Sequence, residues 1–176
     1  MDLREELLAR AKRDREARTD IDAPDIVERM RAVDTENTAW LATVIDQQGW
    51  PRRSEVGAEA ATAAWLLAQH ADRDSGLQAR CLPLLAEAVA AGEADPGHLA
   101  YLTDRVRRAA GQPQLYGTQF WQVPARTGPL VAQPIEDIEH LDERRRAVGL
   151  GPFAEYERLM QEEYPPRPQR PRPDPT

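Results

Sequence analysis

At 176 residues the chain carries one domain's worth of sequence, long enough to bury roughly 70% of its unfolded surface without disulfides or metals. Its net charge of −7, from 23 basic and 30 acidic residues, opposes binding to a nucleic-acid backbone. No apolar run approaches the roughly 18 residues of a membrane span, and a single cysteine, Cys81, excludes an internal disulfide framework. The first turns are charged throughout, without the apolar stretch of a signal peptide, so the expectation is a soluble, cytoplasmic protein. The near-complete replacement of Lys by Arg (Lys12 is the lone lysine) and the abundant Ala fit a GC-rich bacterial genome.

In chain order, residues 2–18 predict a helix with an acidic first turn and Leu3, Leu7, Leu8 and Ala11 at helical spacing. A second helix opens at Asp22-Ala23-Pro24 and ends at Gly49-Trp50-Pro51. The third runs from after Ser54 to about Asp72. The fourth, from Ser75 to Ala91, holds Pro83, which predicts a kink or break. Asp95-Pro96 starts a fifth, ending at Gly111. Residues 112–135 lose the helical period, and two extended runs, around 119–123 and 129–133, are placed to pair as a hairpin across Pro124–Gly128. Helical pattern returns at Asp137 and again in Phe153–Tyr164. The segment 164–176 is proline-rich and reads as a disordered tail beyond a single helical domain, 1–163. The fold class is mainly α: a compact orthogonal bundle of five to seven helices with one irregular segment.

Polar residues interrupt this pattern at several places. The apolar seam of the second helix (Ile26, Met30, Val33, Trp40, Val44) has Asn37 at its missing position, and a buried amide needs partners. It is either a register-fixing core residue or part of an internal site. The third helix, apolar nearly all round, ends in Gln69-His70-Ala71-Asp72, and a histidine beside a carboxylate is the usual form of a general acid/base. The alternative is a boundary histidine with a polar stop. In the fifth helix, Asp104 falls opposite the seam, so the period makes it solvated and paired with Arg107 or Arg108. Covered by the 112–135 segment, Asp104 and Arg105 would instead be buried, with Arg105 suited to an anionic group. Tyr116 and Gln119 belong to a loop of three aromatics and three glutamines that either contacts ligand or plugs the bundle.

Phosphate-loop, dinucleotide, nucleophile-elbow and zincin motifs are all missing, so no cofactor is expected. His70, His98 and His140 never fall at i,i+3 or i,i+4, which argues against a closed zinc site; a further alternative is a metal held by His70 with Asp72 and Asp104. Cys81, mid-helix beside Leu82, reads as a small core residue.

The ordered segments Gly49-Trp50-Pro51, Ala64-Trp65-Leu66, Gln69-His70-Ala71-Asp72, Tyr101-Leu102-Thr103-Asp104-Arg105-Val106, Tyr116-Gly117-Thr118-Gln119 and Arg144-Arg145 together resemble a bacterial family of small proteins known only as a domain of unknown function. The likeness is strongest over roughly residues 30–160, leaving the first helix and the tail outside. It implies that these polar segments belong together in one site, and it transfers no activity.

Two readings of function follow. In the first, a small enzyme uses His70 as general acid or base, oriented by Asp72, on a small molecule or peptide, with no nucleic-acid or membrane partner. Arg105 holds an anionic group, Asp104 and Tyr116 complete the catalytic set, and Asn37, Gln69 and Gln119 bind substrate. Hydrolysis, isomerisation, cyclisation and elimination all suit such a set. In the second, the same residues are a structural network inside a non-catalytic binding or interaction module.

Overall fold

In the computed structural model, which describes residues 2–20, 23–122 and 128–166, the chain starts with a reciprocal cap. The Asp2 carboxylate accepts from the Glu5 amide, and the Glu5 carboxylate accepts from the Asp2 amide, satisfying two orphan donors of α1 (Leu3–Ala17). Along α1 the buried positions are Leu7, Ala11, Asp14 and Ala17, one stripe at spacings of 4, 3 and 3. α2 (Ile26–Gln48) begins at Ile26 rather than at Asp22, which lies outside the described residues, and stops where Gly49 takes φ +75°.

The expected third helix is two elements. A short turn, α3 (Arg53–Val56), is separated from α4 (Ala58–Gln69) by Gly57 at φ +83°, a conformation that ends one helix and starts the next in a new direction. α4 is central, with Ala60, Ala61, Ala63, Ala64, Leu67 and Ala68 all buried. Its small side chains let α1 lie close along it, and that pair makes the most extensive helix contact in the molecule. α5 (Ser75–Ala90) runs through Pro83 without the expected break. Pro83 faces solvent, and so does Ala79, whose carbonyl loses its helical donor and can turn to water instead. α6 (Pro96–Ala109), capped by Asp95 on the Gly97 amide, packs on α5.

β1 (Phe120–Gln122) and β2 (Leu130–Ala132) form an antiparallel pair with Trp121 opposite Val131, so the hairpin expected in the irregular segment is present. Most of its turn, residues 123–127, lies outside the described residues, as does the tail from 167. A 3-10 turn (Ile138–His140) leads into α7 (Leu141–Ala147), and α8 (Phe153–Glu163) closes the chain against β2 and α7. The protein is mainly α, with eight α-helices and one two-stranded sheet among the described residues. The helix beyond the expected five to seven is α3.

Leu7, Leu41, Leu67, Leu77, Leu85 and Leu102 form the core with the α4 alanines. Cys81 is in that core, and burial pushes its thiol up to about 12, so it is a packing group. His98 stacks on Trp65 with ring centroids 3.9 Å apart, and its carbonyl accepts from the Trp65 indole. Burial lowers the His98 pKa below 6.5, partly offset by Asp95 and reinforced by Arg53. The folded state therefore binds fewer protons there than the unfolded chain, and stability falls as pH drops from 6.5 toward the folded value. In thermal melts between pH 7.5 and 5, His98→Phe, which keeps the stack, is expected to lose less melting temperature than the native chain.

Candidate functional site

The last turn of α4 and the link to α5 place His70 at the C-cap of α4, with its side chain 22% exposed. Its ring nitrogen Nδ1 lies 2.8 and 2.9 Å from the two carboxylate oxygens of Asp14, on α1. Asp14 is fully buried, and Arg18 donates a further hydrogen bond of 2.9 Å to its Oδ1. An ionised carboxylate only accepts, so Nδ1 carries the proton and Nε2 is the nitrogen left to exchange one. The other arm of Arg18 reaches Asp34 on α2 at 2.7 Å, giving a chain His70–Asp14–Arg18–Asp34 across three helices.

His70 lines a cavity of about 270 Å³ whose other walls are Asp34, Thr35, Thr38 and Ala39 of α2 and Arg73 and Asp74 of the α4–α5 link. The four α2 residues share one flank because 34, 35, 38 and 39 recur at helical spacing.

The expected partner of His70, Asp72, is elsewhere. Its two oxygens take Arg105 Nη1 at 2.6 Å each, and its Oδ1 also accepts from Gln78. Residues 70 and 72 leave a helix end in different directions, and α6 offers Asp72 a guanidinium before His70 can reach it. Arg105 is thus engaged by Asp72 and Gln69 and does not line the cavity. Its Nε donates to Gln69 Oε1 at 2.7 Å, and buried Gln78 donates to the carbonyls of Ala68 and Gln69. Arg105 and Gln78 together clamp the turn that carries His70, and Gln69 is part of that clamp rather than of a substrate-binding surface.

Asp104, assigned by period to solvent, is fully buried under the irregular segment. Its carboxylate accepts from the amides of Leu115, Tyr116 and Thr118 and from the Thr118 hydroxyl, at 2.7–3.2 Å. Arg107 instead turns to the Pro113 carbonyl and Glu136. Gln119 is buried and donates to Thr118 Oγ1, while Gln114, also buried, ties the carbonyls of Gln119 and Gln133 to the base of the hairpin. The backbone of Tyr116 is held from both sides, by Asp104 and by buried Arg145, whose Nη1 donates to the Tyr116 carbonyl at 2.6 Å. Arg145 stacks over Tyr156, 5.0 Å from its ring centroid, and burial pulls its pKa down. At Gly117, φ is +64° and an added Cβ would meet Phe153 at 2.8 Å, so this tight turn requires glycine.

Asn37 is buried, as its seam position predicts, and its Oδ1 accepts from Arg10 Nη1 at 3.2 Å, with the Arg10 guanidinium lying over Trp40. It fastens α2 to α1. The eight residues expected to share a pocket therefore separate: His70 alone lines the cavity. Asp72, Arg105 and Gln69 pin its turn, Asp104, Gln119 and the Tyr116 backbone fix the loop, and Asn37 joins two helices. The metal set of His70, Asp72 and Asp104 fails for the same reason, since Arg105 and the loop amides occupy those carboxylates. Ligand atoms of Asp14, Asp34 and His70 do fall within 4.8 Å of one another, and Arg18, bridging the two carboxylates, already supplies positive charge there.

The chain belongs to a family of unknown function, DUF6624, whose model matches residues 1–167. The match includes α1, and with it Asp14, which the likeness seen in the sequence had left outside. No curated protein and no solved structure matches the chain. No helix among the described residues is long and apolar enough to cross a membrane.

Proposed function

We propose that the protein is a small acid/base enzyme, working as a soluble cytoplasmic protein of a bacterium, with His70 as the proton-transfer group and Asp14 as the residue that orients it. The observation that carries this reading is the double placement of His70: its Nδ1 lies on a fully buried carboxylate, and the residue lines a cavity of about 270 Å³. Nε2 takes a proton from the bound substrate, the imidazolium that forms is stabilised by Asp14, and the proton returns to the product or leaving group. Reactions of that type include hydrolysis, isomerisation, cyclisation and elimination on a small molecule or peptide. Neither nucleic acid nor a membrane is part of the reading.

The clamp by Arg105 and Gln78 supports it, because an acid/base group must be held to a fraction of an ångström for proton transfer. The loop network under Asp104 favours the structural reading for that part of the molecule only. The test is a panel of ester, lactone, amide and peptide substrates, together with solvent-deuterium incorporation at acidic C–H positions, run on the native protein and His70→Ala. Turnover in the variant is expected to fall by about 10²–10⁴-fold, the usual contribution of a positioned acid/base group, with a stability loss of about 1–3 kcal/mol because Asp14 keeps Arg18 as a partner. A His70→Ala variant that turns over substrate like the native protein, or that only loses stability, would contradict the proposal.

A further inference from the structure

We propose that the cavity beside His70 selects a small zwitterion, a free amino acid or a dipeptide, binding its carboxylate through Arg73 and its ammonium through Asp34 and Asp74. This rests on the acid/base reading of His70 and names the substrate class for it.

The argument is one of charge accounting within the cavity wall. Arg18 is spent on Asp14 and Asp34, and Arg105 on Asp72 and Gln69. Arg73 lines the cavity, is exposed, and has no hydrogen bond or ion pair with any described residue. A free guanidinium at a cavity wall is the side chain best matched to a planar carboxylate.

The two wall carboxylates are each half used. Asp34 gives Oδ1 to Arg18, and Asp74 gives Oδ1 to the Leu77 amide as the cap of α5; among the described residues Oδ2 of each is without a partner. A simple anion at Arg73 would lie in the same small space as two carboxylates, and a simple cation would lie beside Arg73. Only a ligand with both charges satisfies both sets. The remaining walls, Thr35, Thr38 and Ala39, are short side chains. The volume, about 270 Å³, is just under the roughly 300–1,000 Å³ of drug-sized sites, as suits an amino acid or dipeptide.

The test is a titration of the full-length, ¹⁵N-labelled protein with L-alanine and L-alanyl-L-alanine, and with the N-acetyl and C-amide derivative of each, followed at the amides of residues 34–39 and 70–74. At least one free zwitterion is expected to bind ten-fold or more tightly than either of its derivatives. Arg73→Gln is expected to erase the advantage over the amide while keeping the advantage over the acetyl form, and Asp34→Asn to weaken the latter. Absence of shifts at these positions, equal affinity for all three forms, or an unchanged pattern in Arg73→Gln overturns the inference. His70→Ala separates it from the catalytic reading, because that variant should keep the zwitterion preference. Turnover that depends on His70 with substrates lacking either charge would sink the zwitterion and leave the acid/base site standing. Zwitterion binding with turnover indifferent to His70 would do the reverse.

Discussion

Asp14→Asn is expected to lower turnover by about 10²–10⁴-fold while leaving the fold in place. Arg18 Nη1 donates to Asp14 Oδ1 at 2.9 Å, so an asparagine must turn its carbonyl oxygen toward Arg18 and its amide NH₂ toward His70. That NH₂ donates to Nδ1 and drives the imidazole proton to Nε2, the nitrogen that must be free to act as base. Size and hydrogen-bond count are kept, and the loss of stability should be about 1–2 kcal/mol. Steady-state rates and denaturant midpoints measured together check the point. A large stability loss with unchanged rate per folded molecule would make Asp14 purely structural.

The second large effect belongs to Asp104. Removing its carboxylate in Asp104→Ala orphans the Leu115, Tyr116 and Thr118 amides and the Thr118 hydroxyl beneath a covering loop. Each unsatisfied buried group costs about 1–3 kcal/mol, and partial relaxation brings the expected total to about 3–5 kcal/mol. For a domain with about 5–15 kcal/mol of stability, that is a third or more. Hydrogen exchange at 115–118 should rise well above that of α4. Asp104→Asn should recover little, since its NH₂ cannot accept. A loss below about 1 kcal/mol with an unchanged loop would show that the carboxylate is not what holds the segment.

The two variants separate the residues on which the proposed chemistry rests from those that hold the scaffold, a division only partly visible in the sequence. Helix ends were legible because Asp95-Pro96, Gly49 and Gly111 act through local backbone chemistry. Pro83 does not end α5, and the Ala79 carbonyl that it frees lies on the solvent side. Helical period alone puts Asp104 in solvent because it describes one helix, and the alternative that the sequence also offers, burial under the 112–135 segment, is the one the structure shows. His70 was legible as a polar residue at the end of an apolar helix. Its partner was legible too, by the argument applied to Asn37: Leu7, Ala11, Asp14 and Ala17 form a seam with one charged member. The density of charge around it in α1 hid that signal, and Asp72, nearer in sequence, took its place. Thr35, Thr38 and Arg73 carried no signal, because they become a cavity wall only when α2 packs beside the α4–α5 link.

The pairing of His70 with Asp14 is tested most directly by the long-range ¹H–¹⁵N spectrum of the histidine side chains at a pH where His70 is neutral. The native protein is predicted to show His70 with its proton on Nδ1 and an unprotonated Nε2, and Asp14→Asn to show the reverse. A native His70 protonated on Nε2, or a tautomer indifferent to residue 14, would contradict the account.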